Sequence, residues 1–192
     1  MYRIESPIVT DRLVLRPFTL ADLDDLYAIQ SLPDVVKYLY WDVRSRSEVR
    51  AILEVKIKQT RLAAEGDALC LAITLPGASG ARSLVIGEVD LWWKSEQHRQ
   101  GEIGFVLHPV HQGRGFAAEA ADAMLELAFG QLRLHRVYGR TDLRNTASAA
   151  LMRRLHMREE AHFVQNEIFK GEWSDELVFA ILEDEWREAG PR

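Results

Sequence analysis

The sequence predicts one α/β domain in which a sheet is layered with helices. Its 192 residues, 47% hydrophobic and 28% charged, suit a single globular core of ordinary size, expected to run over residues 1–192. Stretches with apolar residues at every second position alternate with stretches where they recur every three or four, the periods of half-buried strands and amphipathic helices. Between two such stretches, one loop with two glycines carries a strand straight into a helix.

In chain order, Thr10 to Phe18 is expected as a first strand, with Leu13 and Leu15 on one face and Pro17 ending it. Thr19 caps a helix whose buried stripe is Leu23, Leu26 and Tyr27. Asp22, Asp24 and Asp25 load its positive first turn, and Pro33 ends that region. Ser45-x-x-Glu48 has capping-box spacing, and Val49, Ile52, Leu53 and Ile57 extend a second helix to about Glu65, before Gly66. Ala68 to Leu75 is a mostly apolar strand, Pro76 to Gly80 a turn, and Leu84 to Trp93 the next strand. On that strand Glu88, Asp90 and Trp92 share a face, which is either a solvated side or a substrate-facing wall that attracts an amine.

Glu102 to Leu107 alternates small or polar with large apolar residues, so it reads as a strand that Pro109 stops. Past the loop, Ala117, Ala121, Met124, Ala128 and Leu132 form the apolar stripe of a helix opposed by Glu119, Asp122 and Glu126. Arg136 to Thr141 is a further strand. It leads through Asp142 and Arg144 to a helix with Ser148, Leu151, Met152 and Leu155 on one stripe, for which Asn145 is the N-cap. Phe163, Gln165, Glu167 and Phe169 make a mixed strand face, wet or cleft-lining.

The loop Gln112-Gly113-Arg114-Gly115-Phe116-Ala117 holds the most chemistry. Unpaired N–H groups and the positive end of the following helix converge there. Without a Cβ at 113 and 115 the backbone can turn through positive φ and let a phosphate oxygen approach, as a pyrophosphate site requires. A plain turn would use the same residues. So would a Rossmann loop, since Gly113-x-Gly115-x-x-Ala118 is a legal G-x-G-x-x-A, although five residues separate Leu107 from Gly113 and Asp142 lies 29 positions on where about 20 is expected. A Walker loop is excluded, because no Gly-Lys-Ser/Thr follows.

Net charge −5 and pI near 5.7 argue against a general nucleic-acid or membrane-surface binder. Cys70 is the sole cysteine, in an apolar run, so there is no intrachain disulfide and no cysteine metal cluster. No signal-peptide core or membrane-length apolar run occurs, and a cytoplasmic location is expected.

Gln112-x-x-Gly115-x-Ala117 fits the form [Arg/Gln]-x-x-Gly-x-[Gly/Ala], and on it the chain resembles the GCN5-related N-acetyltransferases (GNAT), where that form marks the acetyl-CoA loop between a strand and a helix. Asn145-x-x-Ser148 followed by Leu151 to Met157 is similar to the RimJ/RimL branch. Thr10 to Arg16, Glu102 to Phe105, Gly171 to Asp175 and Phe179 to Leu182 extend the likeness over nearly the whole chain. The chain departs from the wider superfamily at His156-Met157, where Gly-Phe is usual, and at Met152, where many members carry a tyrosine used as general acid.

The resemblance implies a strongly twisted, mixed sheet of about seven strands flanked by about four helices, two of them before the second strand. It implies transfer of an acetyl group from acetyl-CoA to a primary amine of a peptide N-terminus or a small molecule. Phe105, Val106 and Leu107 would pair with the pantetheine arm, Gln112 to Ala117 (with Gly113, Arg114, Gly115 and Phe116) would hold the pyrophosphate, and Asn145 and Ser148 would complete the coenzyme contacts. Ser148 is implied as the acid that protonates the leaving thiolate and Glu167 as the base, with Glu102 and Glu88 as rival carboxylates. No metal and no covalent intermediate is implied, no membrane or nucleic acid is a partner, and a homodimer is left open. The alternatives are a dinucleotide-binding oxidoreductase and a module that holds acyl-CoA without turnover.

Overall fold

The structure, a computed structural model, describes residues 1–77 and 83–190; the expected turn from Pro76 to Gly80 passes outside the described residues at Ala78. The elements are β1 (Tyr2–Arg3), β2 (Ile8–Val9), β3 (Val14–Pro17), α1 (Leu23–Gln30), α2 (Pro33–Val36), α3 (Arg46–Lys56), β4 (Arg61–Leu62), β5 (Ala68–Leu75), β6 (Leu84–Ser95), β7 (Gln100–Leu107), α4 (Phe116–Glu126), β8 (Arg136–Asp142), α5 (Thr146–Arg154), β9 (Arg158–Phe169), β10 (Glu172–Leu182) and α6 (Glu183–Ala189). Eight strands form one mixed sheet in the order β2-β3-β5-β6-β7-β8-β10-β9, where only β7 and β8 run parallel. β1 and β4 form a separate antiparallel pair.

Alternation along the strands divides the core between the two faces of this sheet. Leu69, Leu71, Val89, Leu91 and Ile103 pack against Ala120, Ala121 and Met124 of α4. On the opposite face Cys70, Ala72 and Val85 meet Leu26 and Ile29 of α1 and Val49 and Leu53 of α3. The result is a helix, sheet, helix layering, as the patterning predicts.

The second helix is shorter than expected. α3 stops at Lys56, because the next positions on its apolar stripe are Thr60 and Arg61, which offer nothing to bury; the chain turns and Arg61 and Leu62 pair with Arg3 and Tyr2, leaving Leu62 1% exposed. Pro33 begins a helix instead of ending one, since its fixed φ suits the first position of α2. The eighth strand is the two-residue β2, and the helices beyond four are the short α2 and α6, the latter anchored where Trp186 meets Phe129 at 5.5 Å.

Candidate active site

β7 and β8 pair only at Gln100–Arg136, Gly101–Val137 and Glu102–Tyr138, then part. From Ile103 onward the free edge of β7 faces a fork into which α5 packs. At Gly139, on the other arm, a Cβ would stand 2.7 Å from Met152 Sδ. In the antiparallel ladder with β6 the groups of Val106 face Glu88, so the splay leaves the backbone N–H and C=O of Phe105 without a strand partner, able to bond a ligand running along the edge.

Two cavities open at this fork. A groove of about 510 Å³ is lined by Leu107, Gln112, Gly113, Gly115, Phe116 and Ala117 among others, and a cleft of about 290 Å³ lies beside it. They share Tyr38, Leu39, Phe105, Val106, Asn145 and Ser148, so Ser148 stands where groove and cleft meet.

The glycine loop has the backbone geometry that an anion site uses. Gly113 has φ +71° and Gly115, the N-cap of α4, has φ +82°, left-handed values that tie these turns to glycine. Gln112 Nε2 donates to the Leu107 carbonyl at 3.1 Å and closes the turn. Arg114 lays its guanidinium over the buried Phe116 ring, 4.9 Å from the centroid. Arg12, which motif reading passed over, braces the same loop. Its Nη1 donates to the Arg114 carbonyl at 2.9 Å and its Nε to Glu119 Oε2 at 2.7 Å, while Thr10 Oγ1 donates to Glu119 Oε1 at 2.5 Å.

Asn145 is the expected N-cap: its Oδ1 accepts from Ser148 N at 3.1 Å, which puts Ser148 in the first turn of α5 with its side chain toward the junction. Met152 is buried, and no tyrosine takes its place. Asp142 is held by Arg144 and Ser174 Oγ, which bring its carboxyl down to about 2 although burial opposes the shift. It is thus occupied within the protein, and a sheet with one short parallel pair is not the doubly wound sheet of a dinucleotide-binding oxidoreductase.

The carboxylates differ in what they already hold. Glu102 lies in the cleft but is engaged by Arg140 Nε at 3.0 Å, Lys94 Nζ at 3.1 Å and Tyr138 OH at 3.3 Å. Glu88 is buried against Lys56 Nζ at 2.9 Å. Glu167 lies in the cleft and accepts from Tyr40 OH at 2.7 Å; burial, then this carboxylate, push the Tyr40 phenol up to about 12. The bulge in β9 places two extra residues opposite Asp175, so alternation is kept and Glu167 shares a face with Glu176. Glu88, Asp90 and Trp92 line the cleft: Glu88 is buried, while Trp92 remains 38% exposed.

Residues 38–41 escaped the sequence reading because Tyr-Leu-Tyr-Trp between two helices has no regular period. All four line the cleft, and Tyr38 and Leu39 border the groove as well. Lys170 Nζ donates to the carbonyls of Val36 (2.9 Å) and Trp41 (3.0 Å) and to Asp42 Oδ1 (3.1 Å), tying this loop to the β9–β10 turn. Among the described residues no three His, Cys, Asp or Glu side chains are grouped to hold a metal, and no helix is long and apolar enough to cross a membrane.

Comparison with known proteins agrees with this geometry. The acetyltransferase (GNAT) domain family matches residues 12–158. YnaD of Bacillus subtilis (strain 168), an uncharacterized N-acetyltransferase, is 31% identical over 179 residues, which cover 93% of this chain and 98% of its own. The spermidine N(1)-acetyltransferase of Vibrio cholerae is 29% identical over 106 residues, covering 55% of this chain and 61% of its own. A GNAT-family acetyltransferase of Bacillus anthracis superposes with a TM-score of 0.81 at 28% identity, over 93% of this chain and 99% of its own. The splayed pair, the glycine loop at the start of α4 and these matches together show that the chain belongs to the GNAT acetyltransferase family.

Proposed function

We propose that this chain, as one domain, transfers the acetyl group of acetyl-CoA to a primary amine in the manner of the RimJ/RimL branch. The observation that carries the reading is that groove and cleft meet at Ser148. The pyrophosphate sits on the N–H groups at Gly113 to Ala117, the pantetheine arm bonds the free edge of β7 at Phe105 to Leu107, and the thioester reaches the junction beside Asn145 and Ser148. The amine enters through the cleft.

An ammonium has no lone pair to attack with, so it first loses a proton, which Glu167 accepts. The nitrogen then bonds to the thioester carbon, the C–S bond breaks, the Ser148 hydroxyl gives its proton to the leaving thiolate, and the second proton, which the nitrogen sheds as it becomes an amide, passes to solvent, from which Ser148 is reprotonated. The first turn of α5 favours the developing negative charge. Glu102 and Glu88, already joined to cations, serve as structural carboxylates in this scheme.

Thiol release from acetyl-CoA against a panel of N-terminal Ser, Ala and Thr peptides, polyamines, aminoglycosides and amino acids tests the reading. The similarity to a spermidine N(1)-acetyltransferase supports putting polyamines first. Ser148→Ala is expected to lower kcat by roughly tens- to a thousand-fold with a smaller change in KM for acetyl-CoA. Glu167→Gln is expected to slow turnover, with partial recovery as pH rises and free amine accumulates. Full turnover by Ser148→Ala overturns the acid assignment, and an unchanged rate and pH profile in Glu167→Gln overturns the base.

A further inference from the structure

Six carboxylates line the acceptor cleft, and they fall into two kinds. Glu88, Glu102, Asp142 and Glu176 each meet a lysine or arginine. Glu167 and Asp90 meet none among the described residues, and each accepts a hydrogen bond from an aromatic side chain: Glu167 from Tyr40 OH at 2.7 Å, Asp90 from Trp92 Nε1 at 2.5 Å. The first of these is the base of the proposed reaction. The second has no part in it.

The two stand on opposite walls. Four interstrand steps of about 4.8 Å lie between β6 and β9, and the parting of β7 from β8 widens them, so the backbones that carry Asp90 and Glu167 stand about 20 Å or more apart along the sheet, with both residues lining the cleft between them. Asp90 is set deep. Its Oδ1 fills the place over Gly104 where a Cβ would be only 2.5 Å away, so glycine at 104 makes room for the carboxylate. The groups that bear on it are Glu88 and Trp92 on β6, Cys70 opposite it on β5, Lys56 on α3 and Glu102 on β7. The lysine is engaged by Glu88 at 2.9 Å. The Trp92 ring, 38% exposed, offers an aromatic surface beside this carboxylate.

Lys56, the cation that bears on Asp90, is already paired with Glu88, which leaves the carboxylate room to take a cation from outside. We propose that Asp90 and Trp92 form a subsite for a second cationic group of the acceptor: one nitrogen of a diamine is acetylated beside Ser148 and Glu167 while the other, as ammonium, rests against Asp90. This rests on the acetyl-transfer reading and adds the class of acceptor, a primary amine with a further positive charge a chain of several carbons away. Burial, and then the charge of Glu88, push the Asp90 carboxyl up to about 6. Only its ionised form attracts the ammonium, so preference for a dication grows as pH rises through about 6 and fades below it.

The test compares α,ω-diamines of four to eight carbons with n-alkylamines of matched length, using wild type and Asp90→Asn, an isosteric change that keeps an oxygen for Trp92 Nε1. Wild type is expected to show kcat/KM at least tenfold higher for the best diamine than for its monoamine. Asp90→Asn is expected to lose at least tenfold more on the diamine than on the monoamine, mainly in KM, and to lose the rise near pH 6. Calorimetric titration of the same amines into the CoA-bound protein gives a readout free of turnover. Diamine binding that Asp90→Asn weakens, with no turnover of any amine, keeps the subsite and overturns the transferase reading. Equal losses on both amines, a diamine preference that survives in Asp90→Asn, or no diamine binding by wild type overturns the subsite.

Discussion

At the scale of single residues, the coenzyme loop depends on two glycines with unequal surroundings and on one arginine far away in sequence. A Cβ at Gly113 meets nothing within 4 Å, whereas at Gly115 it comes 3.2 Å from Arg12 Nη2. Gly113→Ala should therefore cost only the left-handed strain of about 1–2 kcal/mol. Gly115→Val adds displacement of Arg12 and blocks the phosphate approach, so isothermal titration should detect no acetyl-CoA binding in a protein that still folds. Arg12 has an electrostatic task as well. Glu119 puts a carboxylate in the first turn of α4, where it steadies the helix but repels a pyrophosphate, and Arg12 offsets it at 2.6 Å. Arg12→Gln should weaken acetyl-CoA binding several-fold, and adding Glu119→Gln should recover part of the loss. A purely structural brace would show a further loss in the double variant instead.

At the scale of elements, the proposed reading gives acceptor recognition to the loop between α2 and α3. Tyr38 and Leu39 border both cavities, and Tyr40 bonds the proposed base, yet this loop is stitched down from outside, chiefly by Lys170 at the β9–β10 turn. Two of the three acceptors of Lys170 are backbone carbonyls, so the clamp sets the path of the chain more than any side chain. Lys170→Met should raise KM for the amine while leaving affinity for acetyl-CoA, assigned in this proposal to α4 and β7, less affected. Partial exposure of Lys170 keeps the stability loss small, roughly 1–2 kcal/mol, or a few degrees in Tm for a chain of this length. Equal changes in amine KM and acetyl-CoA affinity would argue against the loop as an acceptor element.

At the scale of the whole molecule, the site exists because the sheet comes apart along one seam. Seven of the eight strands could form an ordinary antiparallel array, but the crossover through α4 brings β8 back parallel to β7, and α5 then fills the fork so that three residue pairs remain. A ligand completing that seam ties the two halves of the sheet together, so acetyl-CoA should stabilise the folded state by mass action, by about 2.7 kcal/mol at a hundred times Kd. Thermal denaturation with acetyl-CoA and with NAD checks this: a rise with the first alone is expected, and a rise with NAD alone would overturn the coenzyme assignment.

Local pattern made much of this legible in the chain itself. The 3.6-residue and two-residue periods name α1, α3, α4, α5 and strands β5, β6, β7 and β8, and the Gln112-x-x-Gly115-x-Ala117 loop points to the coenzyme, because helix caps, strand alternation and glycine conformation depend on residues close in sequence; β10 came only from the family resemblance. Where α3 ends was not legible, since Leu62 is buried through a pairing with Tyr2 that lies far off in the chain. The cleft was less legible still. Whether Glu88, Asp90 and Trp92 face water or substrate, whether Glu102 is free or bound to Arg140, and that Arg12 serves a loop a hundred residues on are questions of partnership across elements. The sequence determined most of the segments that became strands and helices and the glycine loop between β7 and α4. Only the tertiary structure decided which carboxylates of the cleft are paired with a lysine or arginine, because that depends on distances between segments which local pattern does not encode.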